Sequence, residues 1–148
     1  MVSVSELLEQ QFGRMPTTQQ KDVFRLLERF LLADNGDEAF VLRGYAGTGK
    51  TTVISALVKV LPKLKFKSVL LAPTGRAAKV ISNYSGRKAF TIHKKIYRKK
   101  EAASPDMTFV LGDNLATNTL FIIDEASMIS DQAGDFGRQS LLNDLIHY

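Results

Sequence analysis

Residues 44–51 read Gly-Tyr-Ala-Gly-Thr-Gly-Lys-Thr, a spacing typical of a loop that binds phosphate. The glycines allow the backbone to curl so that successive N–H groups point at phosphate oxygens, near the positive end of a following helix. Lys50 is expected to reach the β and γ phosphates, and the Thr51 hydroxyl to coordinate Mg²⁺. The motif predicts a nucleoside triphosphate site, and the alternative is a glycine-rich turn without a ligand. The predicted contacts are Gly44, Tyr45, Ala46, Gly47, Thr48, Gly49, Lys50, Thr51 and Thr52.

Two acidic residues supply the other half of such a site. Asp124 and Glu125 directly follow Leu-Phe-Ile-Ile at 120–123, a run of strand-forming residues. We expect Asp124 to hold Mg²⁺ and Glu125 to orient and deprotonate the attacking water, which makes Lys50 and Glu125 the predicted catalytic pair. Alternatively, the two acids only cap a following helix. No Asn-Lys-x-Asp guanine-reading motif occurs, so ATP is the favoured nucleotide.

The surrounding pattern predicts the elements that position these residues. Helical periodicity or helix signals occur at 17–33, 51–61, 74–84 and 139–147, and apolar strand-like runs at 39–42, 66–72 and 120–123. Apolar strands that alternate with helices are typical of an α/β fold. We therefore predict a parallel sheet with helices on both faces, in which the phosphate loop joins the strand at 39–42 to the helix at 51–61.

Charge is segregated along the 148 residues, although the net charge is only +5. Residues 39–100 contain fifteen basic and no acidic side chains, whereas the segments on either side are net acidic. Such a field favours a polyanion such as nucleic acid, and the alternative is a solvated basic face. Cysteine is absent and no apolar run has the ~18 residues of a membrane helix. We expect a cytoplasmic protein, nucleoid-associated if bacterial, with no membrane partner.

Two further segments carry a family resemblance. Ala-Pro-Thr-Gly-Arg-Ala-Ala at 72–78 and Thr-Ile-His at 91–93, read together with the phosphate loop and Ile-Ile-Asp-Glu-Ala-Ser at 122–127, resemble motifs Ia, Ib, I and II of superfamily 1 DNA helicases. The chain looks most like the branch of RecD/TraA, Dda and Pif type, which moves 5′ to 3′ on single-stranded DNA. The resemblance covers about residues 16–130 and implies a RecA-like ATP-binding domain.

The resemblance also implies roles for individual residues. Gln20 matches the adenine-reading glutamine of the family, although Thr17-x-x-Gln20 is also a capping box for the helix that begins there. The basic and aromatic run at 94–100 suits a groove that follows a DNA strand, or a solvated face. His93 is alternatively a packed or capping histidine. The DNA contacts that the resemblance implies are Pro73, Thr74, Gly75, Arg76, Thr91, His93, Lys94 and Lys95.

The domain expectations follow from the same family. Residues 1–148 would form a single, partial RecA-like domain, and residues 94–118 a short inserted hairpin region with Phe109 as a candidate wedge. The family pattern continues with a Gly-Asp-x-x-Gln motif and a second RecA-like domain that carries arginine fingers, and neither occurs in these residues. The RecA-like sheet should therefore be incomplete, because the part of the fold that follows residue 130 in the family is missing from these residues. We expect this chain alone to bind ATP and Mg²⁺ weakly and to hydrolyse ATP slowly.

Two alternatives to a helicase lobe remain open. One is a clamp-loader type AAA+ ATPase, which can share the Gly-Thr-Gly-Lys-Thr and Asp-Glu sequences but requires neither Pro-Thr-Gly-Arg at 73–76 nor Thr-Ile-His at 91–93. No sensor motif of that class is present. The other is a nucleotide- or DNA-binding module without turnover. The cofactors expected on the leading interpretation are ATP and Mg²⁺, and the partners are single-stranded DNA, or a junction of single- and double-stranded DNA, and a second RecA-like domain.

Overall fold

A computed structural model describes residues 1–33, 36–99, 109–133 and 139–148. The chain divides into two units. The first contains Met1–Lys67 and Tyr84–Gly86, and the second contains Ser68–Asn83 and Arg87–Tyr148. In the described ranges, no helix is long and apolar enough to cross a membrane.

Three helices form the first unit: α1 (Val4–Phe12), α2 (Thr18–Leu32) and α3 (Lys50–Val60). Helix α1 packs against both others. Their shared apolar faces form the core, where the rings of Phe12 and Phe24 meet edge to face with centroids 5.4 Å apart. The carboxylate of Glu28 on α2 accepts hydrogen bonds from the Val4 backbone N–H and the Ser5 hydroxyl, both at 2.9 Å, and so ties the start of α1 to α2. Helices α2 and α3 confirm the sequence prediction.

The strand predicted at 39–42 does not form. This segment has no regular structure, Val41 is 75% exposed, and the ring of Phe40 instead lies 5.6 Å from that of Phe30. A strand requires a neighbour that pairs its backbone N–H and C=O groups. Among the described residues, no strand of either sheet pairs with this segment. The prediction is therefore wrong for this structure, in which the phosphate loop is followed by a helix but not preceded by a strand.

A parallel three-stranded sheet, flanked by helices, organises the second unit. Its strand order is β2 (Ala89–Thr91), β1 (Lys67–Ala72) and β5 (Thr119–Ile123). Strands β1 and β2 pair in parallel, with Leu70 opposite Ala89 and Ala72 opposite Thr91. Strands β1 and β5 confirm the predictions at 66–72 and 120–123. The mixed α/β class with a parallel sheet is therefore confirmed, and it agrees with a P-loop NTPase domain.

Helices complete the second unit. After β1 comes α4 (Gly75–Ser85), whose last residues belong to the first unit, and α5 (Ile92–Ile96) and α6 (Leu141–His147) follow later in the chain. Leu71, Ile92 and Ile96 are fully buried at the centre of an apolar cluster. Helix α6 packs Leu141 and Leu145 onto this cluster, and the ring of Tyr148 meets that of Phe121 edge to face with centroids 6.0 Å apart.

A short antiparallel ladder lies within the segment at 94–118. Strand β3 (Tyr97–Lys99) pairs with β4 (Phe109–Leu111), so that Lys99 lies opposite Phe109. The side chain of Phe109 is 45% exposed. The intervening residues 100–108, including Lys100 of the basic run, lie outside the described residues. Whether this ladder is an inserted subdomain stays a prediction.

Candidate functional site

The glycine-rich loop of the first unit curls in the way its sequence predicts. Gly47 and Gly49 have φ angles of +78° and +88°, a region that glycine adopts without strain. The Thr48 hydroxyl donates to the Tyr45 carbonyl oxygen at 2.7 Å and closes the turn. Helix α3 begins directly after Gly49, and no side chain caps its first N–H groups. These donors therefore remain available to an anion at the helix N-terminus.

Backbone carbonyl groups of the loop hold the Lys50 side chain in place. Its Nζ atom donates to the carbonyl oxygens of Gly44 and Tyr45 at 2.6 and 2.7 Å. In the ranges described, no carboxylate forms an ion pair with this ammonium group. The positive charge therefore lies at the loop without a neutralising acid, which suits the binding of a phosphate group.

Gln20 joins the start of α2 to the loop. Its Oε1 atom accepts from the Thr17 backbone N–H at 2.9 Å, and the Thr17 hydroxyl accepts from the Gln20 N–H at 3.2 Å, so the predicted capping box is confirmed. Its Nε2 atom donates to the Thr48 carbonyl oxygen at 3.1 Å. Residues 28 positions apart are thereby brought together. The adenine role of Gln20 stays a prediction.

An open pocket of about 430 Å³ lies between the α1–α2 linker and the loop. Arg14, Met15, Thr17 and Gln20 line one side, and Gly47 and Thr48 the other. The sequence interpretation missed Arg14 and Met15, because no motif extends to them. Their position just before the capping box was the only available signal. Of the remaining predicted loop contacts, Tyr45 is 90% exposed, and Thr51 and Thr52 lie half-buried in the first turn of α3.

The acidic pair lies at the carboxyl end of β5 in the second unit. The Asp124 N–H donates to the Leu71 carbonyl oxygen at 3.0 Å and so continues the pairing with β1. Glu125 has a left-handed backbone, with φ 55° and ψ 36°, and precedes a short 3-10 turn at Ala126–Met128 without capping it by its side chain. The interpretation of Glu125 as a cap is therefore not supported by its contacts. Its carboxylate is exposed.

The predicted DNA contacts follow the other two strands of the same sheet. Residues 73–76 come after β1, and residues 91–95 begin where β2 ends. Because all three strands are parallel, these segments and the acidic pair share one edge of the sheet. Both threonines cap helices: Thr74 Oγ1 accepts from the Ala77 N–H, and Thr91 Oγ1 from the Lys94 N–H, each at 3.2 Å.

The cationic side chains at this edge face solvent. Arg76, His93 and Lys94 are exposed, and Lys95 is half-buried. The ring of His93 lies beside that of Tyr97, with centroids 5.5 Å apart, but it is not a buried core residue. An exposed set of cations and helix N-termini is suited to phosphate contacts, which position a nucleic acid without reading its sequence.

No cluster of three or more His, Cys, Asp or Glu side chains that could hold a metal ion occurs in the part of the chain that the structure describes. The two predicted protein ligands, Thr51 and Asp124, belong to different units. Each has an oxygen donor of the kind that Mg²⁺ prefers.

Comparison with known proteins adds independent findings. A family model described as an AAA domain matches residues 17–135. The ATP-dependent RecD2 DNA helicase of Deinococcus radiodurans is 32% identical over 96 residues, which cover 65% of this chain and 13% of that protein. The ATP-dependent DNA helicase dda of Enterobacteria phage T4 is 30% identical over 115 residues, which cover 76% and 26%.

A third relative is named for a different function. The tRNA threonylcarbamoyladenosine biosynthesis protein TsaE of Aquifex aeolicus is 35% identical over 79 residues, which cover 53% of this chain and 56% of that protein. The chain therefore spans between about one eighth and just over half of the length of these three relatives.

Proposed function

Since the family match covers most of its residues, this chain belongs to the AAA domain family of P-loop NTPases, and we propose that it is the first motor lobe of an ATP-dependent DNA helicase. The assignment to a P-loop NTPase domain with helicase relatives rests on the similarity to known proteins. The substrate, the 5′ to 3′ polarity and the unwinding activity are the proposal.

The geometry of Lys50 carries the nucleotide part of the proposal. Its ammonium group lies at a curled loop, beside the uncapped N-terminus of α3, and its present acceptors are neutral carbonyl oxygens. A phosphate oxygen is a stronger acceptor for the same ammonium group, because charge-assisted hydrogen bonds are roughly twice as strong as neutral ones. Lys50 would therefore turn from the loop carbonyls to the phosphates, and the loop N–H groups would bind the remaining oxygens. Gln20, at the adjoining pocket, would contact the adenine.

The chemistry proposed for the acidic pair follows the same family pattern. Thr51 and Asp124 would be ligands of Mg²⁺, which would supply charge neutralisation at the β and γ phosphates. Glu125 would orient the attacking water and accept its proton, for which an exposed carboxylate is competent. A second RecA-like domain would supply the arginine finger, which is worth about 10³–10⁵ in rate. Slow turnover by the 148-residue chain alone is the expected result.

DNA would bind at the sheet edge formed by residues 73–76 and 91–95. The segment at 39–100 carries all but five of the twenty basic residues and no acid, so its field attracts a polyanion. Exposed Arg76 and Lys94, beside two capped helix N-termini, provide phosphate contacts along a strand. RecD2 and dda are named as DNA helicases, which favours DNA as the polyanion.

The first test is binding of a fluorescent single-stranded oligonucleotide across a salt series, with and without a non-hydrolysable ATP analogue and Mg²⁺. Affinity that falls steeply with salt and changes with the analogue is expected, because phosphate contacts release counterions and the two ligands are coupled. Nucleotide binding without any oligonucleotide affinity at low salt would contradict the helicase assignment.

A binding module without turnover is one of the two alternatives, and Glu125→Gln distinguishes it from an ATPase. If the chain is an ATPase, this variant still binds ATP but no longer hydrolyses it. Asp131→Asn, which removes another exposed acid after β5, is the matched control and should leave hydrolysis unchanged. Equal hydrolysis by both variants and the unsubstituted chain would contradict the proposed role of Glu125.

A further inference from the structure

Arg14 is fixed beside the loop by the way α1 ends. Gly13, with φ +77°, ends α1 in a left-handed conformation and turns the chain towards α2. The guanidinium carbon of Arg14 lies 5.3 Å from the centroid of the Phe12 ring. Because Phe12 is 4% exposed and packs against Phe24, this ring is a rigid surface. A cation–π contact to it restricts the positions that the guanidinium occupies.

The guanidinium of Arg14 is directed to the phosphate loop. Its Nη2 atom would lie 3.0 Å from a Cβ atom added to Gly49, so the two residues are in close contact. Arg14 also lines the pocket together with Gly47 and Thr48. Over the described ranges it forms no ion pair with an acidic side chain. An exposed cation without an acidic partner therefore lies against the loop residue that precedes Lys50.

We propose that Arg14 is a phosphate-binding residue of the nucleotide site, and that its guanidinium contacts the triphosphate in addition to Lys50. This inference rests on the proposed function. A guanidinium presents a planar fork of donors that matches two phosphate oxygens, whereas the Lys50 ammonium acts as a point charge. Phosphate oxygens are stronger acceptors for the charged guanidinium than the neutral base is, because charge-assisted hydrogen bonds are roughly twice as strong as neutral ones.

The experiment compares ATP with tripolyphosphate, which has neither base nor sugar, in calorimetric titrations of the 148-residue chain with Mg²⁺. Arg14→Gln is expected to lower the affinity for both ligands by the same factor. This factor should be about 10-fold, the size expected for loss of one hydrogen-bonded charge that is screened by solvent. Arg14→Lys keeps the charge and loses the fork, so its affinities should be intermediate. The control Arg25→Gln removes an exposed cation of α2 that pairs with Asp22 at 2.9 Å, and should change neither affinity.

Each other outcome overturns the inference in a distinguishable way. If Arg14→Gln weakens ATP but not tripolyphosphate, Arg14 contacts the nucleoside and the phosphate assignment is wrong. If Arg14→Gln and Arg25→Gln behave alike while the unsubstituted chain binds ATP, Arg14 has no role in the site but the proposed function stands. If the unsubstituted chain binds neither ligand, the inference and the nucleotide part of the proposed function both fail.

Discussion

Replacement of Gly49 by alanine tests the packing of the loop most directly. A left-handed φ of +88° costs an L-residue about 1–2 kcal/mol. The added Cβ would also lie 2.8 Å from Gln20 Nε2 and 3.0 Å from Arg14 Nη2, so both side chains must move. Loss of the 3.1 Å hydrogen bond from Gln20 to Thr48 adds about 0.5–1.5 kcal/mol. The free energy of unfolding should therefore fall by about 1.5–3.5 kcal/mol.

Gly86→Ala is the matched control in the same unit. Gly86 also has a left-handed φ, +66°, but an added Cβ would meet no atom within 4 Å. In Gly86→Ala the only cost is therefore backbone strain, which should lower the free energy of unfolding by about 1–2 kcal/mol. Urea unfolding followed by far-UV circular dichroism should give a loss for Gly49→Ala that exceeds the control by about 1 kcal/mol. Equal losses would show that Gln20 and Arg14 do not pack on Gly49 as described.

A double-mutant cycle assigns the excess to Gln20. In Gly49→Ala combined with Gln20→Ala, the collision with Gln20 and the Gln20–Thr48 hydrogen bond are both absent, whereas the contact with Arg14 remains. The combined loss should be smaller than the sum of the single losses by about 1 kcal/mol, since the same hydrogen bond cannot be lost twice. Additivity within about 0.3–0.5 kcal/mol, as for independent sites, would refute the reasoning.

Substitutions at three further positions test a helix cap, a side-chain hydrogen bond and a buried core residue, each by urea unfolding. Thr17→Ala removes the hydroxyl that accepts from the Gln20 N–H and should cost about 1 kcal/mol, whereas Thr17→Ser should cost less because it keeps the cap. Tyr97→Phe removes a 2.5 Å hydrogen bond to the Asp144 carboxylate on α6, with an expected loss of about 1.5–3 kcal/mol. Leu71→Ala opens a cavity at a fully buried position and should cost about 2–5 kcal/mol.

Elements with a strong local signal could be predicted from the sequence. Helix α2 combines an amphipathic face with the Thr17–Gln20 capping box, and both features act within a few residues of one another. Strands β1 and β5 are apolar runs bounded by turns and helix starts. Helix α1 was missed although Ser3-x-x-Glu6 forms a complete capping box, so its signal was present and unused.

The remaining differences come from interactions distant in sequence. The apolar run at 39–42 satisfies strand propensity, but a strand also needs a paired neighbour, which no local pattern specifies. Strands β2, β3 and β4 have three residues each and are too short for a period of two to be detected. Arg14 belongs to no motif, and it is associated with the loop by spatial proximity, through its close contact with Gly49 and the pocket that it lines with Gly47 and Thr48.

The loop in this structure is held together by the groups that a nucleotide would engage. Lys50 donates to the carbonyl oxygens of Gly44 and Tyr45, and Gln20 donates to that of Thr48. Binding of a triphosphate would exchange the neutral acceptors of Lys50 for charged ones, so the gain is the difference between two kinds of hydrogen bond rather than the full strength of the new bonds. Among the described residues, Arg14 forms no ion pair with an acidic side chain. It therefore has no such pair to break when it binds a phosphate group. The contribution of Arg14 to nucleotide affinity should therefore be large for a side chain that is exposed to solvent.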